Sequence, residues 1–253
     1  MQVTPIPCLT DNYAYIVHDD NLKNIGVIDP SEAKPIISFL EKKNLKLNYI
    51  LNTHHHFDHI GGNSDLKKIY NAKIVGFSGD KHRIPNIDIP LENNSNWIFG
   101  KSKVRILHIP GHTMGHICFF FEKEKIVFTG DTLFSLGCGR IFEGSYEQMF
   151  SSINKIKKLP KNTKIYCGHE YTFKNAKFCL EKDVKNNDLI NKFKKIQELR
   201  SKNLPTIPTT LDDELKCNIF LRCDSDELKA KLGMNKLKDL DVFMKLRDLK
   251  DRF

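Results

Sequence analysis

No run of ~18 uninterrupted apolar residues occurs in the 253-residue sequence, so no membrane-spanning helix is expected. The segment Met1-Gln2-Val3-Thr4-Pro5 lacks a basic stretch followed by an apolar run, so no signal peptide is expected and a cytoplasmic location follows. The seven cysteines (Cys8, Cys118, Cys138, Cys167, Cys179, Cys217, Cys223) form no Cys-x-x-Cys pair and are odd in number. Reduced thiols in a cytosolic protein fit that pattern better than a disulfide framework or a thiolate zinc site. Internal repeats and low-complexity tracts are missing too. What remains is ordinary globular material, 40% hydrophobic and 28% charged, enough for one large domain or for one domain and a smaller one. The net charge of +9 sits entirely in residues 151–253, where 24 Lys and Arg face 15 Asp and Glu. That imbalance suits either an anionic partner or solvated lysine-rich helix faces.

The first two thirds of the chain read as short β-branched or aromatic runs separated by turns. Strands are expected at Tyr13–Val17, Ile25–Ile28, Tyr49–Leu51, Lys73–Val75, Val104–Ile109, Ile117–Phe121, Ile126–Phe128 and Lys164–Tyr166. Helical spacing covers Glu32–Lys43 with Ser31 as its cap, Asn63–Tyr70 and Tyr146–Lys158. Strands interleaved with helices predict a layered α/β domain. Beyond His169 the strand runs stop. Residues 171–203 show helical spacing, Leu204–Thr210 is a Pro-punctuated connector, and further helices are expected near Ser225–Leu232 and Leu237–Lys250. The expected organisation is a catalytic α/β domain over 1–170 and a helical domain over 171–253.

Histidine is where the sequence is unusual. Ten are present, and four of them fall with an aspartate inside Thr53-His54-His55-His56-Phe57-Asp58-His59, directly after an apolar run. A strand that ends in His-x-His-x-Asp-His points alternate side chains at one spot. Imidazole with carboxylate suits zinc, iron or manganese, and a lone structural histidine does not account for so dense a cluster. Further donors stand at strand ends: His112 and His116 in Gly111–His116, Asp131 in Thr129-Gly130-Asp131-Thr132, and His169 in Cys167-Gly168-His169-Glu170. A glycine beside each lets the backbone turn tightly. One carboxylate can bridge two cations, and Asp131 is the candidate. The expected ligands are then His54, His56 and His112 on one ion and Asp58, His59 and His169 on the other, with Asp131 shared. His116 is expected to support the ligands, and His55 to point away from them.

These motifs resemble the metallo-β-lactamase superfamily. Within it the chain is similar over nearly its whole length to the glyoxalase II, or hydroxyacylglutathione hydrolase, family. The segments that carry the likeness are Asp11-Asn12-Tyr13, Gly130–Phe134, Gly137-Cys138-Gly139-Arg140, Phe142-Glu143-Gly144 and Cys167–Thr172. The resemblance implies an αβ/βα sandwich with a two-metal site at one edge, most naturally of zinc, with iron or manganese possible. It implies hydrolysis of S-D-lactoylglutathione to glutathione and D-lactate by a metal-bridged hydroxide in methylglyoxal detoxification, with Asp58 and Asp131 at the reacting centre. It also implies that Arg140, Phe142, Tyr171, Arg247 and Lys250 contact the glutathione portion. Arg247 and Lys250 lie three apart, so on a helix they share one face.

Two positions depart from the common family pattern, Arg140 where Lys is frequent and Phe142 where Tyr is frequent. The second removes a hydroxyl worth about 0.5–1.5 kcal/mol if it bonded the ligand. Asn218-Ile219-Phe220 lacks a frequent central proline. Alternatives within the superfamily are a mono-iron persulfide dioxygenase or another hydrolase, and outside it a nucleic-acid-processing protein, for which the helical part shows no binding motif. A monomer without nucleic-acid or membrane partners is expected.

Overall fold

A computed structural model describes residues 1–253. The chain divides into two compact units, Met1–His108 with Gly115–Gly130, and Ile109–Met114 with Asp131–Phe253. This partition differs from the boundary expected near residue 170, because it follows packing: the loop 109–114 and everything after Gly130 belong to the second unit.

The first unit holds two sheets. Strands β1 (Gln2–Cys8), β2 (Asn12–His18), β3 (Ile25–Ile28), β4 (Tyr49–Leu51), β5 (Lys73–Phe77) and β6 (Ile89–Leu91) lie in that order. The first three are antiparallel to one another, and β3 to β6 run parallel. Strands β7 (Asn96–Phe99), β8 (Ser102–His108), β9 (Ile117–Phe121) and β10 (Ile126–Gly130) form an antiparallel meander. Aromatic rings join the two sheets, with Tyr15 at 5.5 Å from Phe128 and Tyr49 at 5.2 Å from Trp97 and 5.8 Å from Phe99. The opposite face of the first sheet offers Ala14, Ile16, Ile25, Val27 and Ile50 to a core shared with Ile36 and Leu40 of α1 (Ala33–Lys42) and Leu66 of α3 (Asn63–Tyr70). Both faces are therefore covered, which is why these strands read as continuous apolar runs rather than as alternation.

The parallel register decides where the chemistry goes. Ile28 pairs with Leu51 and Leu51 with Val75, so the carboxyl ends of three neighbouring strands open on one edge. The loop after β4 turns at once into α2 (Phe57–Ile60), a single helical turn carrying Asp58 and His59. Strand β1 lies at the end of the sheet and contains Pro5 and Pro7, opposite Tyr15 and Tyr13.

In the second unit a two-stranded hairpin, β11 (Leu133–Phe134) and β12 (Gly137–Cys138), follows Asp131. Strand β13 (Lys164–Cys167) pairs with β14 (Thr209–Thr210) and delivers His169. Around them stand α4 (Tyr146–Lys157), α5 (Thr172–Lys182), α6 (Asn187–Ser201), α7 (Leu211–Cys217), α8 (Asp226–Lys231) and α9 (Asp239–Asp251). The hydroxyls of Ser145, Thr210 and Ser225 cap α4, α7 and α8. No helix is long and apolar enough to cross a membrane.

Ser31 does not cap α1. Glu32 occupies that position with an extended backbone and makes no side-chain cap bond, because its carboxylate accepts the Leu9 amide at 2.9 Å.

Candidate metal centre

In the first unit His54 is fully buried and His59 is 1% exposed, whereas His56 and Asp58 are partly open. The rings of His56 and His59 lie 4.8 and 4.2 Å from that of His54. A buried carboxylate, Asp29, organises them. It accepts the Thr53 amide at 2.8 Å, the Thr53 hydroxyl at 2.6 Å and His59 Nδ1 at 3.1 Å. Since the Thr53 hydroxyl gives its one proton to Asp29, its oxygen accepts from His54 Nδ1 at 3.0 Å. Both histidines are thereby held in the Nδ1–H tautomer, with the Nε2 lone pair directed away from the acceptor. His59 Nε2 stands 3.6 Å from Asp58 Oδ2, and Asn12 donates to the same Asp58 oxygen at 3.0 Å and to the Asp58 carbonyl at 3.1 Å.

The second unit repeats this arrangement. His112 donates from Nδ1 to the Arg140 carbonyl at 2.9 Å, so its Nε2 carries the lone pair and lies 3.6 Å from Asp131 Oδ2. His169 Nε2 lies 3.2 Å from the same oxygen. All three residues are nearly buried. In each unit, then, an imidazole lone pair and a carboxylate oxygen face one another as two acceptors. Such a pair calls for a shared proton or a cation between or beside them, and a histidine fixed by an outer acceptor is the usual support of a metal ligand. The donor set, nitrogen and carboxylate oxygen without sulfur, fits a divalent ion of the zinc, iron or manganese kind.

Glycines permit two close approaches. Gly130 has φ of +47°, and a Cβ there would lie 2.4 Å from Thr53 Oγ1. At Gly139 a Cβ would fall 1.8 Å from the Asp131 carbonyl oxygen. The remaining histidines of the motifs are placed elsewhere. His116 is buried, stacked at 4.6 Å and 15° on His54, and bonded through Nδ1 to its neighbour's carbonyl at 3.1 Å. His55 turns towards Asp80, with Nδ1 at 3.5 Å from Oδ2.

The expected substrate residues all lie in the second unit. Phe142, 61% exposed, sets its ring edge against His112 at 5.1 Å, and Tyr171 stacks on His169 at 4.6 Å and 5°. Arg140 reaches Asp251 at 3.5 Å from an exposed position. Arg247 is only 3% exposed, and its guanidinium donates to the Cys138 carbonyl at 2.6 Å and to Asp251 at 2.9 Å. Lys250, half-buried, rests its ammonium on the rings of Phe253 at 4.9 Å and Phe178 at 5.3 Å. Burial, and then the charges of Lys174 and Arg247, push its pKa down to about 8.

Asp29 and the side chain of Asn12 stand outside the donor set expected from the sequence. A signal for Asp29 existed: Ile28-Asp29-Pro30 is another carboxylate at the end of a β-branched run. Only the parallel register of β3 and β4 places it beside Thr53.

Residues 10–169 match the family model of the metallo-β-lactamase superfamily, and residues 170–253 match that of the hydroxyacylglutathione hydrolase C-terminus. A protein of Pelagibacter ubique named hydroxyacylglutathione hydrolase is 56% identical, with all of both chains covered. One of that name from Methylococcus capsulatus is 42% identical over all of this chain and 99% of the relative. Among solved structures, the BLEG-1 B3 metallo-β-lactamase superposes with a TM-score of 0.68 at 24% identity, covering 87% of this chain and 99% of that one. ETHE1 from Myxococcus xanthus superposes with a TM-score of 0.66 at 21% identity, covering 98% and 97%.

Proposed function

We infer that the chain, which belongs to the hydroxyacylglutathione hydrolase family of the metallo-β-lactamase superfamily, cleaves S-2-hydroxyacylglutathiones such as S-D-lactoylglutathione to glutathione and the hydroxy acid. The observation that carries this reading is the full-length likeness to relatives of that name, extending through residues 170–253, together with the histidine–carboxylate pairs at the strand ends. The enzyme binds divalent metal. Zinc is the proposed ion, and the proposed ligands are His54, His56 and His112 for one ion and Asp58, His59 and His169 for a second, with Asp131 shared. Residues 1–170 form the proposed catalytic domain and 171–253 the proposed glutathione-reading domain of a cytoplasmic monomer.

Divalent ions held by these donors supply Lewis-acid chemistry, lowering the pKa of water to about 7 and polarising a thioester carbonyl. The chain's own residues supply the positioning. Asp29 and the Arg140 carbonyl fix the tautomers of His59 and His112, and Asn12 holds the Asp58 carboxylate in place. Phe142 and Tyr171 present exposed rings next to His112 and His169, where the acyl thioester would lie. Phe142 and Arg140 then contribute apolar surface and charge rather than a hydroxyl. The leaving thiolate, of solution pKa about 8.5, departs without a dedicated acid.

Metal analysis of the purified protein, paired with hydrolysis of S-D-lactoylglutathione, tests the reading. Asp131→Ala is expected to weaken both ions and to lower turnover by orders of magnitude, with His55→Ala as a control of near-normal metal content. Two tightly held ions and near-normal turnover in Asp131→Ala would remove Asp131 from the site.

A further inference from the structure

We propose that Glu214 is a positioning residue for the metal donors of the second unit, holding the β11–β12 hairpin so that Asp131 and the Arg140 carbonyl meet His112. The inference rests on the reading of His112 and Asp131 as metal donors.

The motifs Gly130–Phe134 and Gly137–Arg140 hold Asp131, Arg140, the Cys138 carbonyl and two close-approach glycines, but the hairpin turn between them has no assigned task. The position of the hairpin supplies one. One end of it leaves Asp131, and the other arrives at Gly139 and Arg140, whose amide and carbonyl close back on the donors. Gly139 donates to the Thr132 carbonyl at 3.2 Å, and the Arg140 carbonyl accepts from His112 at 2.9 Å. The turn between the strands has Leu136 at φ +58°, a conformation that a leucine holds only under outside constraint. Its polar groups bond to side chains arriving from α5, α7 and the segment after α7, not to solvent.

Glu214 is 0% exposed and makes the central contact. Oε2 accepts the Leu136 amide at 2.7 Å and Asn218 Nδ2 at 3.0 Å. Oε1 accepts Thr209 Oγ1 at 2.7 Å, Ser135 Oγ at 3.2 Å and Lys192 Nζ at 3.2 Å. Five donors converge on one carboxylate and saturate its roughly four lone-pair sites. Burial opposes the charge of Lys192, but Glu214 and Asp213 raise its pKa above the ordinary value, so the pair is ionic. Asn218 extends the grip, donating towards the Gly137 carbonyl at 3.2 Å and the Phe134 carbonyl at 3.4 Å, and Asn175 Nδ2 donates to the Ser135 carbonyl at 3.1 Å. The helical region thus fixes the hairpin's shape from the side opposite the donors. An amide at position 214 would turn an N–H group against the Leu136 N–H or the Lys192 ammonium, releasing the turn and with it the spacing of Asp131 from His112.

The test is a Zn2+ titration against a chromophoric chelator, with hydrogen exchange of the metal-free protein. The wild type is expected to hold two equivalents; if it holds none, the metal reading fails and this inference with it. Glu214→Gln is expected to lose about 10- to 100-fold in affinity for at least one ion, as loss of outer-shell support does, and to exchange the Leu136 and Gly137 amides faster. Asp183→Asn, which breaks an equally buried ion pair with Arg222 and Lys231, is expected to lower Tm while leaving Zn2+ affinity unchanged. Adding Lys192→Met to Glu214→Gln removes the unpaired charge, so Tm should recover and affinity should not. Should Glu214→Gln fail to fold, Asn218→Ala loosens the same hairpin, keeps the Glu214–Lys192 pair, and is expected to shift affinity in the same direction. Wild-type Zn2+ affinity in the folded Glu214 or Asn218 variant, or an equal loss in Asp183→Asn, overturns the assignment.

Discussion

Lys250 offers a test in which stability and substrate binding move in opposite directions. Its ammonium rests against two phenyl rings with Lys174 and Arg247 as charged neighbours, and burial and those charges set its pKa at about 8. A solvated lysine titrates near 10.4, and that gap sets an upper bound of about 3 kcal/mol, which solvent screening of the half-buried ammonium reduces. The sign follows from proton linkage: between pH 8 and ~10.4 the unfolded chain holds a proton that the folded chain has lost, so folding stability rises across that window. Below pH 8 the full penalty is present. Lys250→Met is therefore expected to be more stable than wild type at pH 7, by about 1–2 kcal/mol once that screening is allowed for, with the advantage gone by pH ~10.5. Urea unfolding of the metal-loaded proteins at several pH values measures the difference, from which metal terms cancel. An anionic ligand would relieve the same penalty, so the variant should bind a glutathione thioester more weakly. A hydrogen bond to a charged group is worth about 1.5–3 kcal/mol, which raises KM roughly 10- to 100-fold with kcat little changed. In the wild type KM should climb above pH 8 as Lys250 loses its proton. A stability difference flat with pH, or a wild type more stable than the variant at pH 7, would refute the argument. An unchanged KM would detach Lys250 from the substrate and leave the linkage intact.

Asp29→Asn keeps the size of the side chain and tolerates φ of +50°, but it turns an amide N–H towards Thr53 or His59. The expected result is a shift of His59 towards its other tautomer, visible by 15N NMR, and a loss of Zn2+ affinity of about 10- to 100-fold. An unshifted imidazole with normal affinity would count against it. The seven cysteines are all buried, and burial pushes Cys8 up to about 11 and Cys167, Cys179 and Cys217 up to about 12. Iodoacetamide at neutral pH should accordingly modify the native protein slowly and leave hydrolysis intact; rapid inactivation through a single thiol would refute that.

Much of this was legible because the informative segments are local. The strands Ile25–Ile28, Tyr49–Leu51 and Ile117–Phe121 and the helix Asn63–Tyr70 coincide with their apolar runs, and the donors sit at strand ends where the pattern breaks. The missed strands had other causes. Pro5 and Pro7 disguise β1, Pro90 interrupts the three residues of β6, and β7 is a four-residue piece behind the polar run Glu92–Ser95, whereas β11, β12 and β14 are two-residue pieces defined only by their partners. Helix α7 is too short for its period to be seen. Arg247 and Lys250 do lie three apart on α9, but the sequence could not say that the first would be buried on a backbone carbonyl and the second laid on aromatic rings. Asp29 and Glu214 were hidden for the same reason: each acts on residues distant in sequence, through a register or a hairpin that only the folded chain creates.

The two prolines of β1 also bear on how this protein behaves in a crowded cell. Pro5 and Pro7 occupy alternate positions of the outermost strand, so their missing N–H groups lie on its free side. That side presents carbonyls along Val3–Pro7 with almost no donors between them. A foreign strand approaching it finds half of the ladder absent, and the sheet ends there without needing another element to cover it. Replacing both prolines with valine would keep the inward pairing with β2 and turn a closed border into a template on which copies of the chain could assemble.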